Sequence, residues 1–175
     1  MNLQQVIESI RTVPNFPKKG ILFYDLTTAF KIPEVHNFMV NAIYEMYKGR
    51  GITKVVGIES RGFILGGALA QRLGAGFVPI RKPGRLPAKT VSKSYDLEYG
   101  SDIIEIHEDA IHKDDIVLLH DDLLATGGTA AAACEMLESM NPAKIYINFI
   151  VELDFLCGRD KLCKYNHQSL IHFDE

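Results

Sequence analysis

The stretch that most constrains this chain is Val117-Leu118-Leu119-His120-Asp121-Asp122-Leu123-Leu124-Ala125-Thr126-Gly127-Gly128-Thr129. An apolar run ends in two acids, passes through a turn of small residues and opens an alanine-rich segment. A strand feeding a helix in this way belongs to an α/β domain with a mainly parallel central sheet and right-handed crossovers. Ligands of such sheets sit beyond the carboxyl ends of the strands, which is where the acids and the turn fall. The turn formed by Ala125, Thr126, Gly127, Gly128 and Thr129 can gather backbone N–H groups around one anion at a helix N-terminus, with the two threonine hydroxyls as further donors. Asp121 and Asp122 would repel a phosphate but accept well from the two hydroxyls of a ribose. Phosphate and ribose together imply a sugar-phosphate ligand. A Gly-Gly turn alone serves equally as a plain connection. The acid pair favours a ligand, because neighbouring acids without a basic partner in sequence are costly unless solvated or bound. Neither G-x-x-x-x-G-K-[ST] nor G-x-G-x-x-G occurs, so the common nucleotide-binding loops are excluded.

The rest of the chain repeats the alternation. Residues 54–58, 77–80, 116–120 and 144–151 are short β-branched runs and read as strands. Pro33-Glu34 opens a helix with Val35, Phe38, Met39, Ala42, Ile43 and Met46 on one stripe, closing near Gly49 with Lys48 and Arg50 in its last turn. Residues 61–73, stopped by Gly74, and 128–140, stopped by Asn141-Pro142, are further helices. Residues 81–97 show neither period and carry Pro83, Gly84 and Pro87, which reads as a lid.

Length and charge set the limits. At 175 residues the chain is one domain with one substantial core, and no internal linker divides it. A net charge of -3 gives no general attraction to nucleic acid or anionic lipid, so any phosphate site must be local. Cys134, Cys157 and Cys163 form an odd set without C-x-x-C spacing, and no signal peptide or spanning run is visible; a cytoplasmic protein with reduced thiols is expected. The histidines show no H-x-x-x-H spacing, so no protein-built metal cage is expected.

The segment Asp121 to Thr129 resembles the phosphoribosyl pyrophosphate signature of the type I phosphoribosyltransferases, in which acids hold the ribose diol and the turn holds the 5'-phosphate. Phe16-Pro17, Gly20-Ile21-Leu22-Phe23-Tyr24-Asp25, Glu59-Ser60-Arg61-Gly62-Phe63, Arg81-Lys82-Pro83-Gly84-Arg85-Leu86-Pro87 and Tyr95-Asp96-Leu97-Glu98-Tyr99-Gly100 narrow the resemblance to the adenine phosphoribosyltransferases over nearly the whole chain. The resemblance implies the type I fold, with a small N-terminal hood over roughly residues 1–33 and a flexible lid over 82–94. It implies transfer of phosphoribosyl to adenine, giving AMP and pyrophosphate, with Mg2+ held mainly by substrate, in a homodimer.

Residue roles follow from the same resemblance. Ser60 and Arg61, in a loop with an unusual cis peptide at Glu59-Ser60, are expected at the pyrophosphate, with Arg81, Lys82 and Tyr99 as further contacts. Arg85 stands where the family more often has lysine. Glu98 is placed to exchange a proton with the purine ring. Leu22 and Phe23 are expected to read and stack the base; in some relatives the next residue is arginine, here Tyr24. His120 stands where the family usually has an aliphatic residue. Open alternatives are another base (hypoxanthine, guanine, xanthine or orotate) and a non-catalytic sensor of phosphoribosyl pyrophosphate.

Overall fold

The computed structural model of the protein describes residues 1–96 and 101–174. The N-terminal part comprises α1 (Leu3–Ser9), β1 (Arg11–Pro14), β2 (Leu22–Asp25) and α2 (Thr27–Phe30). Asn2 and Gln5 cap α1 reciprocally, each side chain taking the other's backbone N–H. β1 and β2 pair antiparallel, Val13 opposite Phe23. Then follow α3 (Pro33–Tyr47), β3 (Lys54–Ile58), α4 (Gly62–Leu73), β4 (Gly76–Ile80), β5 (Thr90–Asp96), β6 (Ser101–His107), β7 (Ile116–Leu124), α5 (Gly128–Ser139), β8 (Lys144–Leu153) and β9 (Asn166–Phe173), with two 3-10 turns, Asp154–Leu156 and Gly158–Leu162, before β9.

The central sheet has the order β4-β3-β7-β8-β9, and every neighbouring pair is parallel. From β3 the chain crosses through α4 to β4 on one side, whereas β7, β8 and β9 extend the sheet on the other. The order therefore reverses between β3 and β7, and the crevice beyond their carboxyl ends is the natural ligand site.

Alternation along the strands divides the core in two. Val55 and Leu118 join α1, α3 and α4 on one face through Val6, Met39, Ile43, Leu65 and Leu69. Val56, Val117, Leu119 and Phe149 join α5 on the other through Ala133, Met136 and Leu137. Ile104 and Ile106 of β6 close this second cluster.

The expected strands and helices are present, with informative shifts. β7 runs on to Leu124, so the acid pair lies within the strand. Helix α3 ends at Tyr47, leaving Lys48 as its cap and Arg50 beyond it, so no basic residue lies in its last turn. The span 81–97 corrects further: Thr90–Asp96 is a strand paired antiparallel with β6, Tyr95 opposite Asp102. Its inner row, Val91, Lys93 and Tyr95, alternates with exposed Ser92 and Ser94, but a lysine in that row hides the period from a hydrophobicity pattern. Among the described residues of that span, irregular backbone is confined to 81–89, tied to β6 by an Arg81–Glu105 bridge.

Candidate active site

A cleft of about 380 Å³ opens at the switch point, lined by Glu59, Ser60 and Arg61 after β3, by Asp121 and Asp122 of β7, and by Lys82, Tyr95 and Asp102 of the arm above. A smaller cavity of about 100 Å³ lies against residues 125–129 at the start of α5. The two share Asp121, Leu123 and Thr129, so one extended ligand can occupy both.

Gly127, with φ 76°, caps α5 in the left-handed region and turns the backbone so that the helix N-terminus faces the smaller cavity. The small residues of this turn leave room for a single anion. At the other side of the cleft, Glu59-Ser60 is a cis peptide, at the position where the resemblance puts one. The first residue of α4, Gly62, packs so closely on β7 that a Cβ there would meet Asp121 Oδ1 and the His120 carbonyl, each at 2.9 Å.

The carboxylates are not equivalent. Asp122 is only 4% exposed, and Arg61 Nε lies 2.7 Å from its Oδ2. Burial raises Asp122, and the Arg61 charge offsets part of that. Asp121 is pushed up further, first by burial and then by the charge of Asp122. The pair therefore resists carrying two charges, and hydroxyl groups donating to it relieve that cost.

The arm over the cleft carries its own polar chain. Thr129 Oγ1 donates to the Tyr95 hydroxyl at 3.1 Å, Tyr95 donates to Asp102 Oδ2 at 3.2 Å, and Asp102 takes the Lys82 ammonium. That ammonium holds Asp102 below its ordinary range. Lys82 itself is drawn down by burial but raised on balance by Asp102 and Tyr95. Glu59 gathers the root of the arm: it accepts from Arg81 Nε at 3.2 Å and from the Lys82 backbone at 2.9 Å, with Arg85 Nη1 at 3.5 Å.

Of the residues singled out in the sequence, Ser60, Arg61, Lys82, Asp121, Asp122 and residues 125–129 meet around the joined cavities. Arg81 does not line the cleft; it faces Glu59 and the Arg85 carbonyl. Leu22, 43% exposed, and Phe23 also stand outside its lining; Arg61 links Phe23 to it, its guanidinium 5.3 Å from that ring's centroid. Phe16 meets the same ring edge-on at 5.1 Å. Glu98 and Tyr99 lie outside the described residues. Sequence reasoning did not pick Glu59, Tyr95 or Asp102. Their signal was positional, since Glu59 precedes the singled-out Ser60-Arg61 and the other two are cross-strand partners in a hairpin that had not been read as one.

Residues 32–169 match the phosphoribosyl transferase domain family. An adenine phosphoribosyltransferase of Bacteroides fragilis is 60% identical over 159 residues, covering 91% of this chain and 89% of the relative. The chain belongs to the adenine phosphoribosyltransferases. The crystal structure of the Thermoanaerobacter pseudethanolicus adenine phosphoribosyltransferase superposes with a TM-score of 0.94 at 46% identity, covering 98% of this chain and all of that one. The Saccharomyces cerevisiae adenine phosphoribosyltransferase, solved with adenine and an imino-altritol bisphosphate, gives 0.90 at 42% identity over 95% of this chain and 97% of that one. Among the described residues, no helix is long and apolar enough to cross a membrane.

Proposed function

We propose that the protein is a pentosyltransferase of purine salvage, moving the phosphoribosyl group of phosphoribosyl pyrophosphate (PRPP) to N9 of adenine and releasing AMP and pyrophosphate. The observation that carries this reading is the junction of the anion-sized cavity with the larger cleft at Asp121, Leu123 and Thr129. The yeast relative, solved with adenine and a sugar bisphosphate, supports a two-ligand site. Residues 125–129 take the 5'-phosphate, Asp121 and Asp122 take the ribose diol, and Ser60, Arg61 and Lys82 face the pyrophosphate, with Tyr99 as a further contact and Arg81 holding Glu59 at the root of the arm. Leu22 and Phe23 take the base, with the Phe23 ring as its stacking face.

N9 attacks the anomeric carbon as the bond to pyrophosphate breaks, with inversion through a cation-like sugar. The Arg61 and Lys82 charges stabilise the leaving group, and the arm above the cleft excludes water from the sugar. Glu98 exchanges the purine proton. Magnesium fits this donor set as a substrate-borne ion: Asp122 and Asp102 are already engaged by Arg61 and Lys82, and the cleft offers the ion no cluster of three ligands among the described residues. Carried by the donor, whose diol faces Asp121 and Asp122, it would supply neutralisation of the pyrophosphate charge. A homodimer in the cytoplasm, with no nucleic acid or membrane as partner, completes the reading.

Chromatographic detection of nucleotide after incubation with Mg2+, PRPP and one base at a time tests it. AMP from adenine, with little product from hypoxanthine, guanine, xanthine or orotate, is the expected result, and Glu98→Gln should lose turnover more than substrate binding. Product from another base would overturn the pocket assignment, and donor binding without any product would make the protein a sensor.

A further inference from the structure

Against the phosphate turn, the segment 154–162 makes a contact that the reaction scheme does not use. Two glycine backbones touch there. A Cβ on Gly158 would meet the Ala125 carbonyl oxygen at 2.1 Å and the Gly127 nitrogen at 3.0 Å; one on Gly127 would meet the Gly158 carbonyl oxygen at 2.4 Å. Neither position accepts a side chain unless backbone moves, and one side of the contact is the turn that lines the smaller cavity.

The segment is itself anchored. Cys157 adopts a left-handed conformation between the two 3-10 turns, and Leu162 is fully buried against α5 and its neighbours. Glu152, at the carboxyl end of β8 and 1% exposed, accepts from Arg159 Nε at 2.7 Å and from Ser169 Oγ at 2.7 Å. His172 Nδ1 reaches Asp154 Oδ1 at 3.0 Å. Glu152, Asp154 and His172 come close enough together to hold a cation, but the Arg159 guanidinium already supplies the positive charge that a buried carboxylate demands.

We infer that residues 154–162, pinned by the Glu152–Arg159 pair, form the rigid back wall of the 5'-phosphate site, and that Gly158, Arg159 and Glu152 are positioning residues for the donor's phosphate although none of them touches it. A group of N–H donors recognises phosphate only if its directions are fixed, and a turn of Ala, Thr and Gly has few side chains with which to fix itself. The contact with Gly158 supplies that constraint from outside, and the ion pair supplies the constraint on Gly158.

This inference rests on the functional reading above, and its test separates the two. Binding of AMP is compared with that of adenosine, which lacks the phosphate, alongside KM for PRPP and for adenine. In Gly158→Ala the turn must shift, so AMP affinity should fall on the order of tenfold or more and KM for PRPP should rise in step, while adenosine affinity and KM for adenine stay put. Because Gly158→Ala risks misfolding, Arg159→Met provides a second variant at a half-exposed side chain. It leaves Glu152 uncompensated and should weaken AMP selectively by several-fold, with Glu152→Gln added to Arg159→Met restoring part of the loss. Equal losses for AMP and adenosine, or no change in a folded variant, would overturn the inference. Failure of the wild-type protein itself to form AMP would sink the functional reading instead.

Discussion

Asp121 and Asp122 lie side by side in β7 with one guanidinium, that of Arg61, directly on Asp122. Both carboxyls are raised, chiefly by burial, so at neutral pH the pair costs folding free energy. A raised acid destabilises the fold above its unfolded pKa, and removing its charge relieves that cost. Asp122→Asn is therefore expected to raise Tm by about a few degrees at pH 7, since Arg61 is partly exposed and can be solvated. The same change removes a charged acceptor for the diol, worth roughly 1.5–3 kcal/mol, so KM for PRPP should rise about ten- to hundredfold. Calorimetry and steady-state kinetics on one preparation check both; a fall in Tm of similar size would mean the acid serves the fold rather than the ligand. At this scale the sequence was legible where chemistry is local. Two acids before a glycine turn are unusual enough to be noticed, whereas Tyr95 and Asp102 are ordinary residues whose importance arises only when a hairpin brings them over Thr129.

The hairpin of β5 and β6 is the element that turns two cavities into a covered site. It is held at its root by Glu59, along its length by the Lys93–Glu135 pair at 2.7 Å to α5, and over the cleft by Tyr95. Tyr95→Phe deletes two hydrogen bonds, about 1 kcal/mol each, without changing the ring's packing. The expected outcome is a roughly 5- to 30-fold lower kcat/KM for PRPP, measured by initial rates at varied PRPP, together with a Tm lower by about several degrees. An unchanged value would mean that Tyr95 does not couple the arm to the phosphate turn. β7 was read four residues short and the polar edge strand β9 was not read, but β3, β4 and β8 could be read from the sequence to within two residues, since buried parallel strands are continuous β-branched runs. The hairpin could not, because its inner face mixes Val91 and Tyr95 with Lys93. Nor does any local signal mark residues 154–162 as part of the phosphate site, since their contact with the turn joins positions some thirty residues apart.

At the scale of the whole molecule, the sheet separates two apolar clusters, and His120 sits fully buried in its middle strand. Its Nδ1 lies 3.0 Å from Asn148 Oδ1, and Asn148 Nδ2 donates to the Gln168 carbonyl at 3.2 Å, which fixes the amide so that Nδ1 is the donor. Nε2 has no partner. Burial pulls the imidazole down to about 4, with the Asn148 bond opposing only in part. The unfolded chain, titrating near 6.5, therefore takes up a proton before the folded one does. Stability contributed by neutral His120 is complete above the unfolded value and is lost as pH falls from about 6.5 towards 4, in total on the order of 3 kcal/mol. Asp121 and Asp122 act in the opposite sense, their cost easing as pH falls, and Glu59 and Asp102, held below the ordinary range, lose their contribution only in more acid solution. A comparison that cancels these groups is thus needed. His120→Asn keeps a donor towards Asn148 and cannot titrate, so between pH 7 and pH 5 the wild-type protein should lose roughly 2 kcal/mol more of its urea-unfolding free energy than the variant does. Equal losses over that interval would mean that His120 takes up its proton as readily inside the sheet as in the unfolded chain, so that burial there does not hold it neutral.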